Sequence, residues 1–205
     1  MFQDNQFTSV PVLKPYLTAS TLPNTDVVGY SLGPKFLQNP FDGLDYQIWR
    51  VRLINYDVSL TAPNTPEYLL YSARGITAVA ISFDQNARLL LLYIIAEELF
   101  LYWHDPVVQS YRHTLLDTGV TSARITLDDV RRSQIPFSEV VIGYVKNNNL
   151  YARNQKDRYG VPYLLQEGVA GRIIKIGMSR GLRLQFLFEQ NPFPVYEDPW
   201  PYGAI

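Results

Sequence analysis

Hydrophobic residues alternate with small or polar residues in a stretch that occurs twice along the chain. Residues 75–84 read GITAVAISFD and residues 119–128 read GVTSARITLD, with the large apolar side chains at every second position. A weaker third copy, GVAGRIIKI, covers residues 168–176. An alternation of period two predicts a β-strand with one face toward a core. Its recurrence after roughly 45 residues predicts a small supersecondary unit that is laid down several times.

Three further strands are predicted in each unit. An apolar run covers Leu89–Ile95, a tight turn follows at residues 96–98, and a third strand covers Leu99–Trp103. A shorter fourth strand covers Tyr111–Leu116. In the next copy the turn residues 147–149 are all asparagine, which tolerates the positive φ that a hairpin turn requires. Each unit is therefore predicted to be a four-stranded antiparallel meander.

A helix is the alternative interpretation of Leu89–Glu98, because Leu, Ala and Glu are good helix formers. The aligned residues 139–150 contain Gly143, several valines and three asparagines, which form a poor helix. Since equivalent segments of a repeat share one structure, we predict a β-hairpin in both copies.

Repeated four-stranded meanders are typical of propeller blades. We therefore predict an all-β, propeller-like fold, with a β-sandwich as the alternative. The last unit contains only two strand-like runs, and its missing strands are expected either from residues 27–32, which would close a small ring, or from a neighbouring subunit. The repeated β domain is predicted to cover residues 43–189, in units of about 43–75, 76–119, 120–168 and 169–189.

Proline-rich segments lie on both sides of the repeats. Residues 1–42 carry scattered prolines with little periodicity, which predicts an irregular N-terminal arm. Residues 190–205 carry four prolines, which favour extended structure and exclude a central strand. This C-terminal arm is expected either to pack on its own domain or to dock on a neighbour. Its aromatic residues are the predicted partner-binding anchors: Phe193, Tyr196, Trp200 and Tyr202.

Composition narrows the functional classes. The chain has 205 residues, 47% of them hydrophobic, which suits one sizeable core. The net charge is −1 and the longest basic block is Arg131-Arg132, so the electrostatic footprint of a nucleic-acid-binding protein is missing. The absence of cysteine excludes disulfides, thiol catalysis and sulfur-ligated metals. The sequence has neither a signal-like N-terminus nor a membrane-length apolar run, so we expect a chain without a membrane partner, made in the cytoplasm.

Residues with catalytic potential are few. His104 and Asp105 are adjacent in a predicted strand, so their side chains point to opposite faces and cannot form a catalytic pair. His113 has no second ligand at metal-binding spacing. Asp84 and Asp128 end equivalent strands, and we interpret them as caps of the following turns rather than as calcium ligands or glycosidase carboxylates. The sequence therefore predicts no catalytic residue, no cofactor and no metal, and a protein that is not an enzyme.

Four phrases of the sequence are distinctive: ISFDQNAR at 81–88, LYWHD at 101–105, LYARNQKDRY at 150–159 and RGLRLQF at 180–186. They resemble small virion proteins of tailed bacteriophages. The resemblance covers about residues 43–189 and implies a structural subunit of the tail, neck or capsid decoration. Such a subunit is located in the virion, after synthesis in the host cytoplasm, and assembles with copies of itself and with other virion proteins.

A carbohydrate-binding, lectin-like module is the alternative function. In that case exposed aromatic side chains such as Trp103 and Tyr151 are expected to stack on a host surface glycan. Both functions are compatible with one phage protein.

Overall fold

The chain is all-β over the part that the structure describes. The computed structural model describes residues 27–34, 46–63, 65–84, 86, 88–127, 140–178, 184–189 and 191–197. These residues form β-strands, turns and short connections and contain no helix, which confirms the predicted class. The strands are β1 (Val27–Pro34), β2 (Tyr46–Ile54), β3 (Asp57–Thr61), β4 (Tyr68–Ser72), β5 (Ile76–Phe83), β6 (Leu89–Ile95), β7 (Glu98–Asp105), β8 (Ser110–Asp117), β9 (Val120–Leu127), β10 (Val140–Lys146), β11 (Asn149–Asn154), β12 (Tyr163–Gln166), β13 (Ile173–Met178), β14 (Leu184–Phe188) and β15 (Asn191–Glu197).

Four antiparallel sheets follow one another in chain order. Sheet 1 contains β1–β4, sheet 2 contains β5–β8, sheet 3 contains β9–β12 and sheet 4 contains β13–β15. Every strand pairs with the next strand of its own sheet, for example β6 with β7. The predicted four-stranded meander is therefore confirmed in sheets 1, 2 and 3. Leu89–Ile95 is strand β6, as the comparison of the repeat copies predicts, and not a helix.

Neighbouring sheets pack face to face through three hydrophobic cores. Trp49 and Phe83 belong to the core between sheets 1 and 2. Leu101 and Ile142 belong to the core between sheets 2 and 3, and Phe186 belongs to the core between sheets 3 and 4. Sheets 2 and 3 are therefore covered on both faces, which explains why β6 and β10 are continuous apolar runs. Among the described residues, sheets 1 and 4 share no core of this kind.

The first strands of the four sheets are neighbours in space. Strand β1 is next to β5, β5 is next to β9, and β9 is next to β13. Within the described part of the chain these strands do not close into a ring. The architecture is therefore a series of four packed antiparallel sheets that are joined in sequence order.

Positive φ angles explain why glycine recurs at the same place in each copy of the repeat. Gly75, Gly119 and Gly168, which precede or open the repeated stretches, have φ of 85°, 71° and 68°. The hairpin turns between second and third strands also need positive φ at both central residues, which are Ala96 and Glu97 in sheet 2. Asparagines fill the matching turn of sheet 3, as the sequence predicts. The turns also tie the sheets together, because the Val120 N–H donates to the Glu97 carbonyl at 2.9 Å.

A β-bulge marks the start of every first strand. The register skips Thr77 between β5 and β6 and Thr121 between β9 and β10. The hydroxyl groups of both threonines are 3.4 Å from a carbonyl of the partner strand, Ile94 and Val145 respectively. Comparable shifts occur at the start of β1 and of β13. Bulges bend and twist a strand, so their recurrence gives each sheet a similar entry geometry.

The two terminal segments contain strands that differ from the sequence-based expectations. Val27–Pro34, inside the predicted irregular arm, is β1 and pairs with β2 in sheet 1. The expectation that this segment completes the last unit is therefore wrong. Sheet 4 instead takes its third strand, β15, from the predicted C-terminal arm. Strand β15 lies at the edge of sheet 4, the only place in a sheet that its prolines tolerate.

Candidate functional site: an aromatic cluster on sheet 2

Period-two alternation on β7 and β8 places a group of ring side chains on one face of sheet 2. On β7, Tyr102 and His104 point toward the side of sheet 1, and the pairing sets Tyr102 opposite His113 and His104 opposite Tyr111. Tyr93 of β6 lies on the same face. These residues, together with Tyr71 of β4, are called here the tyrosine–histidine cluster: Tyr71, Tyr93, Tyr102, Tyr111, His104 and His113.

Ring contacts run continuously through the cluster. The Tyr102 and Tyr111 rings are stacked with centroids 4.8 Å apart, and the Tyr102 and His113 centroids are 4.7 Å apart. Tyr71 reaches across from sheet 1 to within 5.1 Å of His113. The Tyr93 hydroxyl lies 2.9 Å from Nδ1 of His113. These contacts hold the rings in fixed orientations, so the cluster presents an ordered surface.

Solvent reaches one side of the cluster. Tyr111 is 42% exposed and His113 is also exposed, because β8 is the edge strand of sheet 2. Tyr102 is half-buried beneath them, and Tyr93 lies in the core. The exposed rings pack on buried rings of the same cluster. They therefore form one continuous aromatic patch and are not isolated surface aromatics.

A polar group closes one end of the cluster. The Arg88 guanidinium donates to Nδ1 of His104 at 2.9 Å. Asp84 holds the turn that carries Arg88, since its Oδ1 accepts from the backbone N–H groups of Asn86 at 2.8 Å and of Arg88 at 2.9 Å. The predicted turn-capping role of Asp84 is therefore confirmed, while Asp128 lies outside the described residues. Burial raises the pKa of Asp84, and the two N–H donors oppose that shift.

Burial shifts the titration of four rings of the cluster toward the uncharged form. Burial raises the pKa of Tyr93 and Tyr102, and of Tyr111, where the neighbouring Tyr102 adds to the effect. Burial lowers the pKa of His113. The exposed surface therefore offers aromatic faces and hydrogen-bonding hydroxyl groups, with the Arg88 guanidinium beside it.

The opposite face of β7 carries structural residues. Trp103 is only 4% exposed and donates its indole N–H to the Thr114 hydroxyl at 3.0 Å. The sequence-based idea that Trp103 stacks on a glycan is wrong, because the ring is in the core between sheets 2 and 3. Tyr151 is half-buried and stacked on Tyr144 with centroids 5.5 Å apart. Alternation along a strand determines face but not exposure, which the next sheet decides.

Asp105 joins sheets 2 and 3, and it points away from His104 as the sequence predicts. Its buried carboxylate accepts from Arg112 at 3.1 Å and from Arg158 at 2.6 Å. Burial raises the pKa of Asp105, but the Val107 N–H and the two guanidinium groups together outweigh it and hold the pKa below its ordinary value.

Arg153 forms a second connection between the same two sheets. It donates to the carbonyl groups of Leu116 at 2.7 Å, Tyr159 at 2.6 Å and Gly160 at 3.0 Å. Next to it, Asp117 accepts from Lys146 at 2.6 Å. Burial raises the pKa of Asp117, but hydrogen bonds from Lys146, Tyr144 and Thr118 outweigh it and lower the pKa. These polar groups fasten one sheet to the next.

The structure describes two of the four predicted partner-binding residues. Phe193 and Tyr196 lie in β15, at the edge of sheet 4. Trp200 and Tyr202 lie outside the described residues. In the described part of the chain, no three His, Asp or Glu side chains come close enough together to hold a metal ion. That part also lacks a helix with the length and apolar character needed to cross a membrane.

Sequence reasoning missed the cluster, although a signal for it exists. Tyr102 and His104 on one predicted strand, and Tyr111 and His113 on the next, are each separated by one residue. Two such pairs on antiparallel neighbours share a face and face one another when the register aligns. The comparison with protein families finds no matching family model, and the comparison with curated proteins finds no match.

Proposed function

We propose that this chain is a non-enzymatic structural subunit of a tailed-phage virion, in the tail, neck or capsid decoration, and that it acts by assembling with copies of itself and with other virion proteins. The phrases that resemble small virion proteins support the class. The observation that carries the assembly function is a repeated apolar edge on the sheets.

Each four-stranded sheet ends in an edge strand that exposes a leucine. Leu69 of β4 is 67% exposed, and Leu115 of β8 and Leu164 of β12 are each 49% exposed. The three positions are equivalent, since they pair with the second residue after the start of the third strand, which is Ser59, Phe100 and Tyr151 respectively. A large apolar side chain exposed at the same place on successive sheet edges favours a contact surface, because edges are sites of strand pairing between chains.

The same proposal includes a propeller-like arrangement of the four sheets. Its support is the meander order within each sheet and the neighbouring first strands β1, β5, β9 and β13. In a propeller the first strands lie innermost and the fourth strands lie on the perimeter. The three exposed leucines would then lie on the perimeter, where a neighbouring subunit has access.

The test uses purified virions and a triple substitution. The chain should copurify with particles at a constant ratio through a density gradient, and replacement of Leu69, Leu115 and Leu164 by serine should abolish its incorporation. The matched control is Tyr56→Ser, which removes an exposed apolar residue from a hairpin turn. The absence of the wild-type chain from particles would show that the proposal is wrong.

A carbohydrate-binding module is the second candidate, and the exposed rings of Tyr111 and His113 favour it. Sugars stack on exposed aromatic faces while neighbouring polar groups bind their hydroxyls, and Arg88 with His104 would supply such groups. A glycan array decides this question. Binding that is lost in Tyr111→Ala would support it, and failure to bind any host glycan would exclude it.

A further inference from the structure

The tyrosine–histidine cluster presents aromatic rings of the kind that extended proline-rich peptides contact. Tyr111 and His113 are exposed on an edge strand, and Tyr71 of sheet 1 stands beside them. Grooves lined with aromatic rings bind proline-rich segments, since such segments are already extended and lose little entropy on docking. The question is which chain supplies the segment.

The chain itself carries a sequence of this chemistry. Residues 198–205 read DPWPYGAI, in which Trp200 is flanked by two prolines. They follow directly on β15, which is fixed to the edge of sheet 4. Asp198 provides a negative charge, and Arg88 provides a positive charge at the end of the cluster. The segment and the cluster therefore match in aromatic chemistry and in charge.

The distance from sheet 4 to the cluster is larger than the length of chain between Glu197 and Trp200. Packed sheets lie about 10 Å apart, and the cluster is on the face of sheet 2 that points away from sheet 3, so about 20 Å separates it from sheet 4. Trp200 is three residues beyond Glu197, and three extended residues span about 10 Å. This difference in reach favours a Trp200 that comes from another molecule.

We infer that the tyrosine–histidine cluster binds residues 198–205 of a second copy of this chain, with Trp200 as the anchor that packs against Tyr111 and His113. The inference rests on the proposed assembly function and specifies one of its contacts. Because cluster and segment are different surfaces, the contact is head-to-tail, and it generates rings or open chains rather than a two-fold dimer.

A mixing experiment tests the contact. Trp200→Ala removes the segment's anchor, and the double variant Tyr111→Ala/His113→Ala removes the cluster. Light scattering should show that the wild-type chain grows in mass with concentration and that each variant alone stays monomeric. An equimolar mixture of the two variants should form a dimer that grows no further, since it contains one intact cluster and one intact segment. Trp200→Phe and Tyr56→Ala are matched controls that should associate like wild type.

A peptide measurement covers the case in which the cluster variant fails to fold. A fluorescein-labelled peptide of residues 197–205 should bind the Trp200→Ala protein, and a Tyr111→Ser single variant, checked by its thermal unfolding, should weaken that binding about tenfold or more. Replacement of Trp200 by alanine in the peptide should have a comparable effect.

Two outcomes would overturn the inference without touching the proposed function. These are a cluster variant that associates like wild type, and a mixture that stays monomeric although the wild-type chain associates. A wild-type chain that is monomeric at all concentrations would overturn the inference and also the self-assembly part of the proposed function. Glycan binding that depends on Tyr111 and is not displaced by the peptide would also overturn the inference, and would assign the cluster to a sugar. Absence of the wild-type chain from purified particles would instead overturn the proposed function.

Discussion

The ring of Phe186 on β14 lies directly against the backbone of Gly143 on β10. A Cβ atom built on Gly143 would be 2.0 Å from Cε1 of Phe186, well inside any van der Waals contact. Phe186 is fully buried in the core between sheets 3 and 4. The glycine therefore sets the closest approach of these two sheets, and its role is steric rather than conformational.

We expect Gly143→Ala to destabilise the protein by about 3 kcal/mol, because the core must move to admit a methyl group. Chemical denaturation measures the change. In a Phe186→Leu background, which removes the ring atoms nearest Gly143, the same substitution should cost less than about 1 kcal/mol. An equal cost in both backgrounds would contradict the steric explanation.

The backbone of the turn at Ala96 and Glu97 is strained, and substitution of the two residues should relieve the strain. Both residues have positive φ, 49° and 65°, which neither side chain favours. Replacement by Asn-Gly should stabilise the protein by about 1 kcal/mol. The reverse change at the matching turn, Asn147→Ala with Asn148→Glu, should destabilise it by a similar amount. Thermal unfolding of the two double variants gives the comparison, and shifts of the same sign would refute it.

Arg153 is expected to contribute strongly to the attachment of sheet 3 to sheet 2. Arg153→Lys cannot reproduce three donors in fork geometry, so buried carbonyl groups lose their partners, at a cost of about 3 kcal/mol. The control is Arg158→Lys, since Arg158 is half-exposed and bonds Asp105 through one nitrogen. It should lower the denaturation midpoint much less. Equal midpoints for the two variants would contradict the role assigned to Arg153.

The ion pair of Asp117 predicts a loss of stability in acid. The pKa of Asp117 is lower in the folded protein than its ordinary value of 3.8, so the unfolded chain binds the proton more readily. The contribution of Asp117 is therefore fully present above about pH 4 and is lost as the pH falls through the folded-state pKa. Urea denaturation from pH 7 to pH 2 should show a gap between wild type and Asp117→Asn that closes in acid. Lys146→Met should narrow the same gap at pH 7, and a gap that is independent of pH would contradict the prediction.

Local patterns were enough to predict the sheets. Alternation, turn residues and the repeated glycines predict β5–β8 and β9–β12 because each of these signals acts over a few residues. The comparison of two repeat copies also excluded a helix at β6, which a single copy does not. Residues 27–32 were considered as a strand of the last unit and not of the first, because the sequence VVGYSLGP contains glycines and a proline and lacks clear alternation.

Properties that depend on neighbouring sheets were not predictable. Trp103 and Tyr111 are both aromatic residues of predicted strands, yet one is buried and the other exposed, since a sheet covers one face of β7 and β8 lies at an edge. The contact between Gly143 and Phe186 joins residues from different repeat units, and no local pattern links them. The same is true of Arg153, whose partners come from both sheets.

In the described part of the chain, the three cores join each sheet to its neighbours in sequence order, so its energetics resemble those of a short array of repeats. In that part, sheets 2 and 3 have two interfaces each, whereas sheets 1 and 4 have one. Stability in such arrays is close to a sum over units and interfaces, so loss of structure is expected to start at the ends. Duplication of a unit would lengthen the array and leave the inner interfaces unchanged, which offers a physical route by which the repeated sequence could have grown.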